Sequence, residues 1–305
     1  MAENIDSTAV HFKVAGTPGV GSGRRLAATK SFAPGETIYA FKPLLAMPHG
    51  ASMRTTCNYC LVSENPTRPA AFSIHAFSVA VKLYPCTGCH AAVYCSKICQ
   101  KRHWKEREGG LHKLECPVFN RARARAGMDW LPTAVRATAQ VLLTTRFGDA
   151  AMISAFGNGP DSLEGHEEEF KKDKEAWKDI KLQAMGAMAY TGFGDFDEWA
   201  GEKAAPILCK IKTNGFLVEN EATGMAGLLL EPTAAMINHS CEPNACVMFD
   251  FCGRYASVAA IQPIKEGEEI TISYIDSTLP KEARQKALKK QYHFECTCPK
   301  CSGIR

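Results

Sequence analysis

Long apolar runs are missing from the 305-residue sequence, and so is a strong excess of charge of one sign. Because no stretch of about 18 apolar residues occurs, a membrane-spanning helix is not expected. Residues 1–10 are polar and carry acids, unlike a secretory signal peptide. The formal net charge of +4 is too small to demand a nucleic-acid partner. Internal repeats and low-complexity tracts are also absent, and the length predicts about two folded domains.

Cysteine, in contrast, is abundant, with 14 in the chain. In a small secreted domain this content would predict disulfides. A chain of this length, with 46% hydrophobic residues, can build a core without such cross-links. Since nothing resembles a signal peptide, metal binding is the better interpretation of the cysteines.

Four pairs of metal-binding side chains follow one another between residues 57 and 116. Two or three residues separate the members of each pair: Cys57 and Cys60, Cys86 and Cys89, Cys95 and Cys99, His112 and Cys116. This spacing lets both members of a pair reach one tetrahedral ion, so the eight ligands predict two zinc sites. The spacing alone does not decide which pairs share an ion. Metal binding is expected to supply most of the folding free energy of this short, polar region.

A second cysteine group lies near the end of the sequence. Cys296, Cys298 and Cys301 supply three thiolates, which leaves one position of a tetrahedral site open. Cys241 is predicted to fill that position. The remaining cysteines lie among apolar residues and are predicted to be buried core groups: Cys209, Cys246 and Cys252.

Local patterns predict short strands, helices and turns in different parts of the chain. Strands are predicted at 26–29 and 37–41, with a turn at 33–36 between them. Helices are predicted at 135–147, 167–188 and 280–292. Residues 207–275 are predicted to return to strand-like segments separated by turns.

Three motifs stand out in the second half of the chain. NHSCEPN at 238–244 is not explained by secondary-structure preference, because Asn, His and Ser in a row oppose both helix and strand. GEEITISY at 267–274 is predicted to form a turn and then a strand that ends at Tyr274, and QYHFEC follows at 291–296. Together with the terminal cysteine group they resemble the central and post-SET motifs of SET-domain protein lysine methyltransferases. The four ligand pairs, with Tyr94, Gln100 and Trp104, resemble a MYND finger. The order of these parts resembles the SMYD-type subfamily over residues 10–301.

The resemblance implies an α+β fold: a β-rich SET domain with an inserted MYND zinc finger, a helical insertion and a post-SET zinc cluster. The implied divisions are 10–56 for the first SET part, 57–116 for the finger, 117–206 for the helical linker and insertion, 207–276 for the SET core and 277–305 for the post-SET part. It also implies a short form that lacks the C-terminal helical domain of the subfamily, with a more open substrate cleft.

Within the finger, the resemblance implies interleaved metal sites. Cys57, Cys60, Cys95 and Cys99 would hold one zinc, and Cys86, Cys89, His112 and Cys116 the other. The segment between Trp104 and His112 is longer than in the family, which leaves His103 as a rival ligand.

The resemblance also implies roles at the reaction centre. Tyr274 would orient the target amine, and Tyr292 would line the lysine channel. The cofactor, S-adenosylmethionine, would be bound by Asn238, His239, Tyr274, Phe294, Asn214 and a glycine loop at Gly23 and Arg24. Arg25 stands where the family has its second glycine, so the segment Gly21-Ser22-Gly23 is an alternative for this loop.

The function implied is methyl transfer from S-adenosylmethionine to a lysine of a histone or non-histone protein. The alternative is a zinc-dependent adaptor that kept the SET fold without turnover. A proline-containing peptide at the finger, a monomeric state and no sequence-specific nucleic-acid binding are expected. No clear basic import run stands out, so residence in the nucleus, the cytoplasm or both is expected.

Overall fold

The computed structural model describes residues 10–16, 23–64, 81–107, 109–128, 130–159, 161–193, 198–220, 224–250 and 255–303. The chain divides into two compact units. The first contains residues 1–42, 233–249 and 255–305, and the second contains residues 43–232 and 250–254. Each unit therefore contains segments that are distant in sequence.

The described strands are short and are numbered in chain order: β1 (Phe12–Ala15), β2 (Arg25–Ala28), β3 (Thr37–Phe41), β4 (Leu45–Pro48), β5 (Tyr84–Pro85), β6 (Val93–Tyr94), β7 (Phe216–Asn220), β8 (Gly224–Leu230), β9 (Asn238–His239), β10 (Ala245–Asp250), β11 (Tyr255–Ala260) and β12 (Thr271–Ile272). The described helices are α1 (Lys97–Lys105), α2 (Leu111–Ala126), α3 (Thr133–Arg146), α4 (Ala150–Phe156), α5 (Glu167–Lys172), α6 (Lys174–Thr191), α7 (Glu198–Asn214), α8 (Lys281–Tyr292) and α9 (Pro299–Ser302).

The first unit is built from small sheets. β1 pairs antiparallel with β2, β11 lies between β10 and β3, and β9 pairs in parallel with β12. Leu26, Ile38 and Val258 are buried on these strands because apolar side chains face the interior. Helices α8 and α9 complete this unit.

The second unit combines a three-stranded sheet with most of the helices. The sheet has the order β4-β8-β7 with antiparallel neighbours. Helices α3, α6 and α7 pack against one another, and α3 is buried along most of its length. The protein is thus an α+β protein in which strands and helices occupy largely separate regions of the sequence.

Several predicted elements are confirmed. The strand predicted at 37–41 and the helices predicted near 135–147 and 280–292 are present, with end residues shifted by at most two positions. The predicted turn at 33–36 is closed by a hydrogen bond from the Glu36 amide to the Ala33 carbonyl, 3.1 Å long. Gly35 adopts a φ of 89°, which glycine reaches without strain.

Other predictions were wrong. Residues 207–214 are the end of α7 and not strand-like, because Ile207, Leu208 and Ile211 form one buried helical face. The helix predicted at 167–188 is broken at Asp173. This carboxylate accepts the amides of Glu175 and Ala176, both at 3.1 Å, and so caps α6. The strand predicted before Tyr274 is only two residues long.

Among the described residues, no helix is long and apolar enough to cross a bilayer.

Candidate active site and metal centres

The first cysteine cluster of the finger joins a turn at residues 57–60 to the segment that connects β6 with α1. The sulfur atoms of Cys57, Cys60, Cys95 and Cys99 all lie within 4.8 Å of one another. Cys95 follows β6, and Cys99 lies in the first turn of α1. Ser96 caps this helix by accepting the Cys99 amide at 3.2 Å, so the cap also fixes the backbone of a ligand.

The second cluster joins Cys86, Cys89, His112 and Cys116, whose ligand atoms likewise lie within 4.8 Å of one another. His112 and Cys116 are one turn apart on α2, so both side chains point to the same side of the helix. The His112 Nε2 lies 3.7 Å from the Cys89 sulfur. A hydrogen bond from His112 lowers the pKa of the Cys86 thiol to about 6, which favours the metal-binding thiolate.

The grouping of the four pairs is therefore interleaved rather than sequential. His103, the rival ligand, belongs to neither group. Its Nδ1 lies 3.1 Å from the Tyr94 hydroxyl, and its ring stacks on His112 at 5.2 Å between centroids. His103 thus packs against a ligand without joining the cluster.

A buried ion pair supports His112 from outside the cluster. Glu115 and Arg136 are each 2% exposed, and the carboxylate accepts from Arg136 at 2.5 and 3.0 Å. The other Glu115 contact is the His112 Nδ1 at 3.3 Å. Burial opposes the ionisation of Glu115, but Arg136 and His112 hold its pKa below the usual range. The ionised carboxylate fixes the ring orientation that presents Nε2 to the cluster.

The third cluster contains Cys241 together with Cys296, Cys298 and Cys301, within the same 4.8 Å limit. The Cys241 sulfur is 3.5 Å from that of Cys301 and 4.0 Å from that of Cys296. The structure thus brings the predicted fourth residue, which lies 55 positions before Cys296, to the terminal group.

The dimensions of all three clusters fit a tetrahedral zinc ion. Zn–S bonds of about 2.3 Å place two sulfurs about 3.8 Å apart. The sulfur pairs Cys60–Cys95 and Cys95–Cys99 are 3.6 and 3.5 Å apart. The described cysteines are free thiols. Their soft donors suit zinc better than hard cations such as magnesium or calcium.

The segment 238–244 is held against β12 by side chains as well as by strand pairing. The Asn244 side chain donates to the Glu269 carbonyl and accepts the Thr271 amide, both at 2.8 Å. The Asn238 side chain donates to the Glu269 carboxylate at 2.8 Å. Neither Asn244 nor Glu269 was predicted to have a role, although they lie within the motifs at 238–244 and 267–274.

His239 links the third cluster to Tyr274. Its Nδ1 accepts the Tyr274 amide at 3.0 Å, so its proton lies on Nε2, which is 3.3 Å from the Cys241 sulfur. Burial, and then the Arg284 charge, lowers the pKa of His239 to about 4. The imidazole is therefore neutral and donates to the sulfur.

Aromatic rings gather next to this histidine. The rings of Tyr274 and Tyr292 are 4.7 Å apart between centroids, and the His239 ring is 5.3 Å from Tyr274 and 6.0 Å from Phe294. The Tyr274 hydroxyl donates to the Ile237 carbonyl at 2.5 Å. Burial raises the pKa of both tyrosines, so both hydroxyls stay protonated at neutral pH. Four of the predicted site residues therefore share one aromatic cluster.

The other predicted cofactor residues belong to other elements. Gly23 and Arg24 precede β2 in the first unit. Asn214 ends α7 in the second unit, where its amide donates to the Glu164 and Lys210 carbonyls at 2.6 and 2.8 Å.

Of the cysteines predicted to be core groups, Cys209 is fully buried and Cys246 is half-buried. Cys252 lies outside the described residues, as do Gly21 and Ser22 of the alternative glycine loop.

Comparison with known proteins adds to this geometry. A family model described as "SET domain" matches residues 23–275, most of the chain. The chain belongs to the SET domain family. It is 29% identical over 281 residues to "SET domain and MYND-type zinc finger protein 6" of Schizosaccharomyces pombe, covering 92% of this chain and 50% of that protein. It is 30% identical over 291 residues to human "N-lysine methyltransferase SMYD2", covering 92% of this chain and 58% of that protein.

The chain thus spans little more than half the length of these relatives. A similar solved structure is "Crystal structure of the SET domain of LSMT bound to Lysine and AdoHcy". It shares 13% identity, with a TM-score of 0.41 over 95% of this chain and 54% of that chain. This SET-family chain combines the family's core with three cysteine-rich clusters that could hold metal ions.

Proposed function

We propose that this SET-family chain is a protein lysine methyltransferase, which transfers a methyl group from S-adenosylmethionine to a lysine of a histone or non-histone protein. The observation that carries the proposal is the pair of tyrosine rings, Tyr274 and Tyr292, packed 4.7 Å apart beside His239. SET-family membership and the named methyltransferase relative support the same reaction.

For methyl transfer, the protein must mainly align the methyl donor with the lysine amine and exclude water from both. S-adenosylmethionine supplies an activated methyl group on a sulfonium. The acceptor lysine must be neutral, and its ordinary pKa is about 10.4. An apolar, aromatic-walled site disfavours the ammonium form and so lowers that pKa. Holding the two partners in line accounts for the remaining acceleration.

Each residue of the aromatic cluster has a proposed task. The hydroxyl of Tyr274, anchored at the Ile237 carbonyl, would orient the amine. Tyr292 would form a wall of the lysine channel. Asn238, His239 and Phe294 would contact the cofactor, with Phe294 offering a ring face to its adenine. Asn214, Gly23 and Arg24 are proposed as further cofactor contacts.

The three clusters are proposed to hold three Zn²⁺ ions. Each offers four protein ligands, the closed arrangement typical of a structural site. Such an ion takes no part in methyl transfer. The third cluster includes Cys241, which is two residues from His239, so zinc there would stabilise the backbone beside the aromatic cluster.

The finger is proposed to bind a proline-containing peptide. Trp104 on α1 is 40% exposed, so part of an aromatic ring is accessible to a peptide. A proline-rich segment is stiff and loses little entropy on docking to an aromatic surface.

Methyl transfer is tested directly with labelled S-adenosylmethionine, histones and cell extract. We expect labelled protein, and Tyr274→Phe should slow labelling by about 10²-fold or more because the amine loses its orienting hydroxyl. Tyr255→Phe, at an exposed tyrosine of β11, is the matched control and should behave as wild type. If nothing is labelled under any condition, the enzyme assignment is wrong. Calorimetry that detects no cofactor binding would then favour the adaptor.

A further inference from the structure

A buried arginine of helix α8 contacts the third cysteine cluster. Arg284 is 4% exposed. Its Nε donates to the Cys241 sulfur at 3.2 Å and its Nη2 to the Cys301 sulfur at 3.5 Å. Its Nη1 donates to the Leu279 carbonyl at 2.5 Å, which fixes the third arm of the guanidinium. One side chain thus bridges two cysteines that are 60 positions apart in sequence.

The next residue of the helix, Gln285, binds the backbone of a third cysteine, Cys296. The Gln285 Nε2 donates to the Cys296 carbonyl at 2.7 Å, and the Gln285 Oε1 accepts the Cys296 amide at 2.9 Å. The side-chain amide of Gln285 therefore pairs through its nitrogen and its oxygen with the backbone carbonyl and amide of Cys296. Such reciprocal bonds fix the position and the direction of that backbone.

We propose that Arg284 and Gln285 are positioning residues that hold Cys241, Cys296 and Cys301 in the arrangement a zinc ion requires. Four thiolates around Zn²⁺ leave an excess of two negative charges in a buried site. The Arg284 guanidinium offsets part of that charge, and hydrogen bonds from a cation are about twice as strong as those between neutral groups. The planar fork matches two sulfurs 3.5 Å apart, whereas a lysine ammonium would be a single point charge.

The same helix connects the cluster to the reaction centre. α8 continues through the buried Leu288 to Tyr292, and Tyr292 and Phe294 pack in the hydrophobic cluster that contains Cys241, Cys296 and Cys301. Loosening the metal should therefore also loosen the aromatic wall. This consequence rests on the proposed function, but the hold of Arg284 and Gln285 on the cluster does not need methyl transfer.

Zinc release from the full chain tests the proposal without cofactor or substrate. Protein loaded with zinc is mixed with an excess of a chromogenic chelator, and release is followed for each equivalent. We expect Arg284→Gln and Gln285→Ala to release one of three equivalents 10- to 100-fold faster than wild type, as supporting residues of metal sites do. Arg284→Lys should release the same equivalent faster than wild type, because it lacks the fork. Lys290→Gln, on the exposed side of α8, is the control and should match wild type.

Hydrogen exchange supplies a second readout on folded protein. Gln285→Ala should remove protection from the Cys296 amide while α8 and the finger keep theirs, because only that amide loses its acceptor. The proposal is overturned if Arg284→Gln and Gln285→Ala release zinc as wild type does, if release accelerates equally for all three equivalents, or if wild type binds no third equivalent. A failure of methyl transfer with these zinc results intact would overturn the proposed function alone.

Discussion

In the finger, the eight ligand side chains come from one region, residues 57–116. In contrast, the third cluster joins Cys241 to residues 296–301, which we call the tail and which lie 55 or more positions later in the sequence. The finger ligands pack with Tyr94, Phe119 and other apolar side chains in one core. The third cluster packs with the aromatic residues of the candidate reaction centre. Metal in the finger would therefore organise a local module, and metal in the third cluster would connect segments that are distant in sequence.

The side chains that support these clusters carry opposite charges. In the finger, the anionic Glu115 contacts the histidine ligand, and Arg136 neutralises it. At the third cluster, the cationic Arg284 donates directly to the sulfurs of Cys241 and Cys301. With zinc bound, the three thiolates and neutral histidine of the second cluster would leave one excess negative charge, and the four thiolates of the third cluster would leave two. Arg284 therefore offsets charge at the third cluster, whereas Glu115 fixes the orientation of a histidine.

Complete metal removal should have the largest effect and should separate the two regions. Strong chelation should unfold residues 57–116, because metal binding is expected to supply most of their folding free energy. In the first unit it should release only residues 296–301, since the sheets there keep their apolar core. Hydrogen exchange by peptide, with and without chelator, measures both effects.

The tail should lose its metal first. A cavity of about 580 Å³, lined in part by Gln285, Cys296 and Cys301, gives a chelator access to that cluster. Protection of the finger after full zinc removal, or exchange in the finger before exchange at residues 296–301, would contradict this difference between the two regions.

A smaller loss of stability should follow from breaking the buried ion pair of the finger. Glu115→Gln leaves the Arg136 guanidinium without its counter-charge, and such a break costs about 3–5 kcal/mol of the free energy of unfolding. Denaturant unfolding of the zinc-loaded protein measures this loss. Glu168→Gln is the matched control: it breaks an exposed pair with Lys171, 2.7 Å long, and because solvent screens this pair the free energy of unfolding should hardly change.

Equal effects of the two substitutions would contradict the role given to burial. The double variant Glu115→Gln, Arg136→Met should recover part of the loss, because it removes the unpaired buried charge.

The ligand positions could be predicted from sequence, but their supports could not. A tetrahedral ion restricts the spacing of ligands within a pair, so Cys86 and Cys89, for example, carry a local signal. The pairs Arg136–Glu115 and Arg284–Cys241 join residues far apart in sequence, and no spacing rule marks them. Asn244 is intermediate, because it lies in the motif at 238–244 while its partners, Glu269 and Thr271, are at least 25 positions away in sequence.

The fold shows the same division between local and distant information. Helix α3 could be predicted because its apolar period is intrinsic to the segment. The end of α7 at Asn214 could not, since short apolar runs such as 207–211 fit a strand or a buried helix equally well. The short strands β9 and β12, two residues each, exist because segments about thirty positions apart in sequence pair in parallel. No local pattern predicts such pairing.

The smallest effect we predict concerns two helices that are each capped by a side chain. Ser96 caps α1 in the finger, and Asp173 caps α6 outside the metal clusters. Replacing either by alanine should cost about 1 kcal/mol of the free energy of unfolding, as lost caps do. Only Ser96→Ala should also speed zinc release from the first finger cluster, by about fivefold, because Cys99 lies in the turn that Ser96 caps. Chelator competition measures that rate, and equal zinc release from the two variants would mean that this cap does not hold the ligand.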